Sequence, residues 1–429
     1  MIRDICEFAP VGMALNGRVL QGGFDMRTTF SMLLKLIAIL VAALSAAAVS
    51  AAADLKSIRV DAAIPGGNII VDSIQGDAIT VHRDLRDTGA DWFYYYFRVL
   101  DAGGHNITVN FTENNPVTAF GPAVSTDRGA TWKWLGAENV TGATFRYAVP
   151  HNAKEVRFCI AMPYMDANLK AFLKLHQSNP NLRVTTLCKT KKGRDTEALY
   201  LGRLDGKSEF RALITARHHS CEMMASWAVQ GIMESILAET PDGKWLRERV
   251  EFLVVPFMDK DGVEDGDQGK NRLPWDHNRD YAGDSIYPST AALRKLAPEW
   301  SAGKLQLALD MHDPWVRGKC HEVIYGMFGS PEAERFAKIM EAVETGPLVF
   351  RFADYDPCRE KGNGPDMITY ATPRKTFNGW ATDLPGMKVS TGFELPYATA
   401  TARPVTIESA TSFGHDVAKA IRRYFEEAH

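Results

Sequence analysis

Neither charge dominates this chain: 49 Lys and Arg stand against 52 Asp and Glu over 429 residues, a formal net of −3. That balance excludes a broad basic field for nucleic acid and an acidic interaction tail. Cysteine is scarce, six in all with none in a C-x-x-C pair, which argues against a cysteine zinc site or a dithiol redox motif. A low-complexity linker is missing, and so is any repeat of 20–50 residues. The 45% hydrophobic and 24% charged content is ordinary for a folded protein and excludes disordered and coiled-coil readings. At roughly 100–200 residues per domain, the length suggests two domains.

One long uncharged run is present, Ile37–Ala53, reading IAILVAALSAAAVSAAA. Met26, Arg27 and Lys35 precede it, and small residues close it at Ala48–Ala53. A charged start, an apolar middle and an A-x-A-like end describe a secretory signal peptide. The expectation is a leader over residues 1–53, with translation beginning at Met26, and an exported chain, periplasmic or secreted. The run is short and Ala-rich, a poor spanning helix, so no stable membrane span is expected in the mature chain. Five cysteines follow it (Cys159, Cys188, Cys221, Cys320 and Cys358), and an odd number leaves at least one unpaired.

Two rhythms follow the leader. From residue 54 to 182 short β-branched and aromatic runs (Ile58–Val60, Ile69–Val71, Ile79–Val81, Trp92–Val99, Ile107–Phe111) alternate with turn clusters such as Pro65–Asn68. Regularly spaced strands of this kind predict an all-β sandwich. From 183 to 429 strands alternate with helices: Phe210–Arg217, Phe252–Pro256, Leu305–His312, Val323–Met327 and Lys388–Leu395 against Glu222–Leu237, Pro331–Val343 and Thr406–Glu427. That alternation predicts an α/β domain with a mixed, mostly parallel sheet flanked by helices.

Chemistry concentrates where these strands end. Phe210–Arg217 runs into His218-His219-Ser220-Cys221-Glu222, and His219 and Glu222 have the H-x-x-E spacing that lets an imidazole and a carboxylate meet one metal ion. Alone, that spacing is common by chance. Leu305–His312 also ends in a histidine, and two His with one Glu form a known catalytic zinc set with an open fourth position. Between them lies a loop dense in Arg, Asn and Asp, holding Arg272, Asn278 and Arg279. Guanidinium forks match carboxylates, so it suits an anionic substrate group. Glu394 is a lone carboxylate in the apolar strand Lys388–Leu395. Buried carboxylates are rare unless paired, functional or metal-linked, and one near a metal-bound water makes a general base. His218 falls on the opposite strand face from His219 and reads as structural; His277 and His321 read as neighbours of the site.

Taken in order, these pieces resemble the zinc carboxypeptidase family, the clan of carboxypeptidase A. The matching stretches are Ala216–Glu222, Val255–Val263 (VPFMDKDGV, against V-P-x-x-N-P-D-G-V), Asn278-Arg279, His312 and Phe393-Glu394. DWFYYYFRV (Asp91–Val99), STDRGATWKW (Ser125–Trp134) and MPYMDANL (Met162–Leu169) look like the cytosolic-carboxypeptidase branch, which carries a β-sandwich before its catalytic domain. The resemblance implies one zinc ion per chain on His219, Glu222 and His312, and Glu394 as the base that activates the zinc-bound water. It implies that Asn278 and Arg279 grip the terminal carboxylate and Arg272 polarises the scissile carbonyl. Asp276 would orient the first zinc histidine. It gives a metallocarboxypeptidase hydrolysing C-terminal peptide bonds of peptides or proteins, with no nucleic-acid partner. Tyr370 is the candidate for the family's capping tyrosine, and the pocket floor falls near Asn378–Asp383. Ser220-Cys221 departs from the family's P-G between the first two ligands. The alternatives are a zinc amidase or deacylase acting on peptidoglycan peptides or N-acyl amino acids, and an inactive binding module.

Overall fold

Seven strands make the sheet on which the candidate site is built. Across it they run Leu182–Lys189, Asp195–Gly202, Val250–Val255, Phe210–Ala216, Leu305–His312, Val389–Glu394 and Tyr325–Gly326. The four from Val250–Val255 to Val389–Glu394 are mutually parallel, and the outer three pair antiparallel. Parallel neighbours need long crossovers, supplied here by the helices Met223–Leu237, Pro241–Arg249 and Pro288–Ser301. The computed structural model describes residues 30–32, 34–41, 57–317, 320–354 and 374–427.

The parallel strands read as almost unbroken apolar runs because both of their faces are covered. Ala212, Ile214, Phe252 and Val254 point into one core, and Leu213, Leu253 and Val255 into another, the period-two alternation of a strand. The closing helix Ile407–Glu427 lies in the first core through Phe413, Val417 and Ile421. The expected strands and helices of this part are present within two residues at their ends, apart from Val323–Met327, of which only Tyr325–Gly326 is strand.

Ahead of this sheet lie two five-stranded sheets. One comprises Arg59–Asp61, Tyr96–Leu100, Glu155–Cys159, Ala123–Ser125 and Lys133–Trp134. The other comprises Ile70–Gln75, Ala78–His82, Asn106–Phe111, Thr144–Ala148 and Val140–Thr141. Phe145 and Tyr147 of the second meet Phe158 of the first, with ring centroids 5.0 and 5.6 Å apart. The expected strand Trp92–Val99 forms only from Tyr96. Its first half is drawn towards the α/β part instead: Tyr94 N donates to Gln268 Oε1 at 2.7 Å, and Trp92 Nε1 to Cys221 Sγ at 3.3 Å. One continuous hydrophobic core therefore includes Phe93 and Tyr95 together with Ile214 and Met224.

Of the expected leader only residues 30–32 and 34–41 are described, and they are helical. Among the described residues no helix is long and apolar enough to cross a membrane. Cys358 and Tyr370 lie outside the described residues. Cys320 is disulfide-bonded, while Cys159, Cys188 and Cys221 are free.

Parallel register brings the chemistry to one edge. Ala216 pairs with Met311, Met311 with Phe393, and His312 with Glu394, so three strand ends finish side by side. Such an edge, beyond the carboxyl ends of parallel strands, is where α/β proteins place ligands. The close approach depends on Gly392, opposite Asp310: a Cβ there would stand 2.2 Å from the Asp310 carbonyl oxygen. Gly392→Ala should force the two strands apart and lower stability by about 1–3 kcal/mol. A urea melt is the check, and an unchanged midpoint would contradict this account of the register.

Candidate active site and metal centre

The strand Phe210–Ala216 ends in a kink. Arg217 has a φ of 60°, a left-handed conformation unusual for a residue with a side chain. Its buried guanidinium holds the turn that follows, donating to the carbonyl oxygens of Ser220 and of Tyr164 (2.9 Å) and to Ser226 Oγ (3.2 Å). The kink delivers His219 and Glu222 to the sheet edge just before the helix Met223–Leu237 begins. Asp313, next to His312, accepts the Met224 and Ala225 backbone N–H groups at 2.7 Å each. These are unpaired donors of a helix start, so the bonds tie the third strand end to the helix that leaves the first.

His219, Glu222 and His312 are brought together and buried. Glu222 Oε1 lies 2.7 Å from His219 Nδ1, and Glu222 Oε2 lies 2.6 Å from His312 Nδ1. Burial alone would raise the Glu222 carboxyl, but the two imidazoles hold it well below the usual carboxylate range. The outer nitrogens both face carboxylates: His219 Nε2 is 3.7 Å from Asp276 Oδ1, and His312 Nε2 is 2.6 Å from Asp310 Oδ2. A carboxylate behind each imidazole is the usual support of a metal-ligating histidine. Two Nδ1 atoms and a carboxylate turned inward make a donor set that fits zinc.

Glu394 is half-buried beside His312 in the register. Desolvation raises its carboxyl above the ordinary range, His312 opposes that shift and Glu222 adds to it. Asn278 and Arg279 lie in a short helical turn, His277–Arg279. The Asn278 amide is engaged, with Oδ1 accepting the Phe377 N–H at 2.9 Å and Nδ2 lying 3.3 Å from His312 Nε2. Arg279 donates to the Asn278 carbonyl at 3.0 Å and is half-buried. His277 is buried against Asp259 and stacks on Tyr287, and burial pushes it down to about 3. His321 lies 3.7 Å from Glu322.

Arg272 departs from the expectation. Its guanidinium is enclosed by three carboxylates, Asp259, Asp267 (2.6 Å) and Asp87 (2.9 Å), and none of them belongs to the His–Glu–His group. The cation that reaches the group is Lys270, two residues earlier. Its Nζ is 3.3 Å from His219 Nδ1 and 3.9 Å from Glu222 Oε1, and lies over the Trp92 ring at 5.8 Å. Gly269 permits the approach, since at its φ of +76° a Cβ would collide with Ser220 N at 2.2 Å. Three neighbouring polar residues, Lys270-Asn271-Arg272, look alike as sequence, and only the loop's path separates them.

With this geometry in view, residues 136–295 match the zinc carboxypeptidase family. The matched stretch contains His219, Glu222, Asn278 and Arg279 and stops before His312 and Glu394. The chain is 26% identical to cytosolic carboxypeptidase 2 of Danio rerio over 239 residues, 47% of this chain and 33% of that protein. It is 30% identical to cytosolic carboxypeptidase 3 of Bos taurus over 237 residues, again 47% of this chain but 23% of that protein. It thus spans a third or less of the length of these curated relatives. Among solved structures, a metallo-carboxypeptidase from Burkholderia cenocepacia superposes with a TM-score of 0.70 at 20% identity, covering 87% of this chain and 100% of that one. A metallo-carboxypeptidase from Pseudomonas aeruginosa gives 0.68 at 17% identity, covering 86% and 100%. The fold is therefore that of the metallocarboxypeptidases.

Removing one partner of a buried ion pair strands the other charge, at a cost of about 3–5 kcal/mol. Arg272→Met should therefore destabilise the chain by that order while leaving zinc binding intact. Denaturant melts and metal analysis would check it, and loss of zinc without loss of stability would return Arg272 to the site.

Proposed function

We infer that this protein is a zinc-dependent metallocarboxypeptidase acting on the free C-termini of peptides or proteins. The observation that carries the reading is the pair of inward-facing Nδ1 atoms on either side of the Glu222 carboxylate, each backed by its own acid. His219, Glu222 and His312 would hold the zinc. Zinc bound there supplies a water of lowered pKa and polarises a carbonyl oxygen.

This chain's own residues supply the rest. Glu394, its carboxyl raised by burial, takes a proton from the attacking water as the new C–O bond forms. It passes that proton to the departing amine as the C–N bond breaks, the double duty of a general base and acid. Arg279 pairs with the terminal carboxylate as a guanidinium fork does, with Asn278 fixing the turn beside it. Lys270, rather than Arg272, meets the charge developing on the carbonyl oxygen, because it alone of the two cations reaches the His–Glu–His group. The two front sheets form a β-sandwich domain over residues 54–182, ahead of a catalytic domain over 183–429. The leader over residues 1–53 sends the chain out of the cytoplasm. The disulfide at Cys320 supports export, since such bonds persist in oxidising compartments. The amidase alternative is not favoured, because the matched family and relatives are carboxypeptidases.

Three measurements bear on this reading. Glu394→Gln should lower kcat by at least about 10²-fold while zinc content stays near one per chain; retained turnover would remove Glu394 from the chemistry. Lys270→Met should lower kcat by about 10²–10³-fold, the range for losing one oxyanion donor, with a smaller change in KM. If Arg272→Met were instead the kcat variant, the roles would be reversed. Amidating the C-terminus of a peptide substrate should make it a poor one, and equal cleavage of amidated and free-acid peptides would point to an amidase.

A further inference from the structure

Behind the metal group runs a second set of buried polar side chains that the proposed reaction leaves unused. Asp310 sits at its centre, with Oδ2 2.6 Å from His312 Nε2 and Oδ1 2.8 Å from His218 Nδ1. Thr215 Oγ1 donates to the same Oδ1 at 2.8 Å, and His218 Nε2 lies 2.7 Å from the Tyr281 hydroxyl. Asp310 and His218 are fully buried, Tyr281 and His312 nearly so.

Counting donors and acceptors assigns the protons of this chain once the His312 Nε2 hydrogen is directed to Asp310 at 2.6 Å. The Asn278 amide nitrogen, 3.3 Å away, is then a neighbour of Nε2 and not its bonding partner. An ionised carboxylate only accepts, so the nitrogens facing Asp310 must both carry hydrogen: Nε2 on His312 and Nδ1 on His218. With zinc bound, a neutral His312 protonated at Nε2 would present its one lone pair at Nδ1, the nitrogen on the Glu222 side. His218, protonated at Nδ1, has a lone pair left on Nε2, and the Tyr281 hydroxyl donates to it. Each group determines the next, from tyrosine to metal ligand. We propose that Asp310 and His218, with Tyr281 behind them, are positioning residues that lock His312 in the tautomer and ring orientation that ligates metal through Nδ1. The proposal rests on reading His219, Glu222 and His312 as the zinc site. It also accounts for His218, which saturates Asp310 from the side away from the metal, so that this carboxylate stays fixed on His312.

A rival arrangement exists, because His218, Asp310 and His312 also have donor atoms within 4.8 Å of one another and could hold an ion of their own. Zinc affinity by chelator competition, zinc content, and imidazole nitrogen–proton NMR on the full chain separate the cases. The unaltered chain should bind one zinc, with the His218 proton on Nδ1 and the His312 proton on Nε2. Asp310→Asn should weaken zinc by about 10–100-fold and His218→Phe by about tenfold, the range for losing such support. His218→Asn, whose amide N–H can replace Nδ1–H, should recover most of the affinity lost in His218→Phe. Two zinc ions in the unaltered chain, or a His218 proton on Nε2, would overturn the proposal without any variant having to fold. So would a weakening below about fivefold in both Asp310→Asn and His218→Phe, well under the usual effect of such support. If the unaltered chain bound no zinc, the zinc reading itself would fail and take the proposal with it. Unchanged affinity in the variants, by contrast, removes only the positioning role.

Discussion

A carboxylate taken out of water costs several kcal/mol unless its charge is met, and Glu222 is met twice, by His219 and His312, from opposite sides of the carboxyl group. Those imidazoles come from strand ends far apart in sequence, Glu222 and His312 being 90 residues from one another. Their meeting is what requires the parallel register, the kink at Arg217 and the bonds from Asp313 to the helix start. Were any one of these displaced, a charged group would be left without partners in the interior. The site is thus held in place by the same electrostatics that make it able to take a metal ion.

A similar economy governs the loop between the second and third parallel strands. Its acids are consumed by neighbouring cations: Asp259 and Asp267 by Arg272, Asp261 and Asp265 by Arg194. With Arg272 committed to that network, Lys270 is the basic residue of the loop that faces the histidines. Electrostatic compensation around the loop, rather than position in the sequence, decides which of Lys270 and Arg272 faces the histidines.

The His–Glu–His group is legible in the sequence because its members follow the ends of two strongly apolar strands, Phe210–Ala216 and Leu305–His312, and such strands declare their ends. Glu394 is legible as a charge interrupting an apolar run. Asp310 stands in the same kind of run yet escapes notice, since D-x-H at a strand end draws the eye to the histidine. The placement of Arg272 is not legible: whether Lys270 or Arg272 faces the histidines depends on a left-handed glycine at 269 and on acids that lie as far away as Asp87. The hairpin Leu182–Gly202 is hidden for a different reason. Its first strand is mostly exposed, so it lacks the apolar pattern that marks a strand. Trp92–Tyr95 reads as strand because buried aromatics look alike whether they fill a sheet or reach across to another part of the fold.

The carboxylate cage around Arg272 has a lasting consequence. One of its walls, Asp87, belongs to the front segment, and Thr88 there bridges to Arg272 itself, while Arg86 reaches across to Asp267. The stretch bearing Asp276, Asn278 and Arg279 is thereby moored to residues laid down far earlier in the chain. The α/β part made without that front segment would keep this loop but lose its anchor.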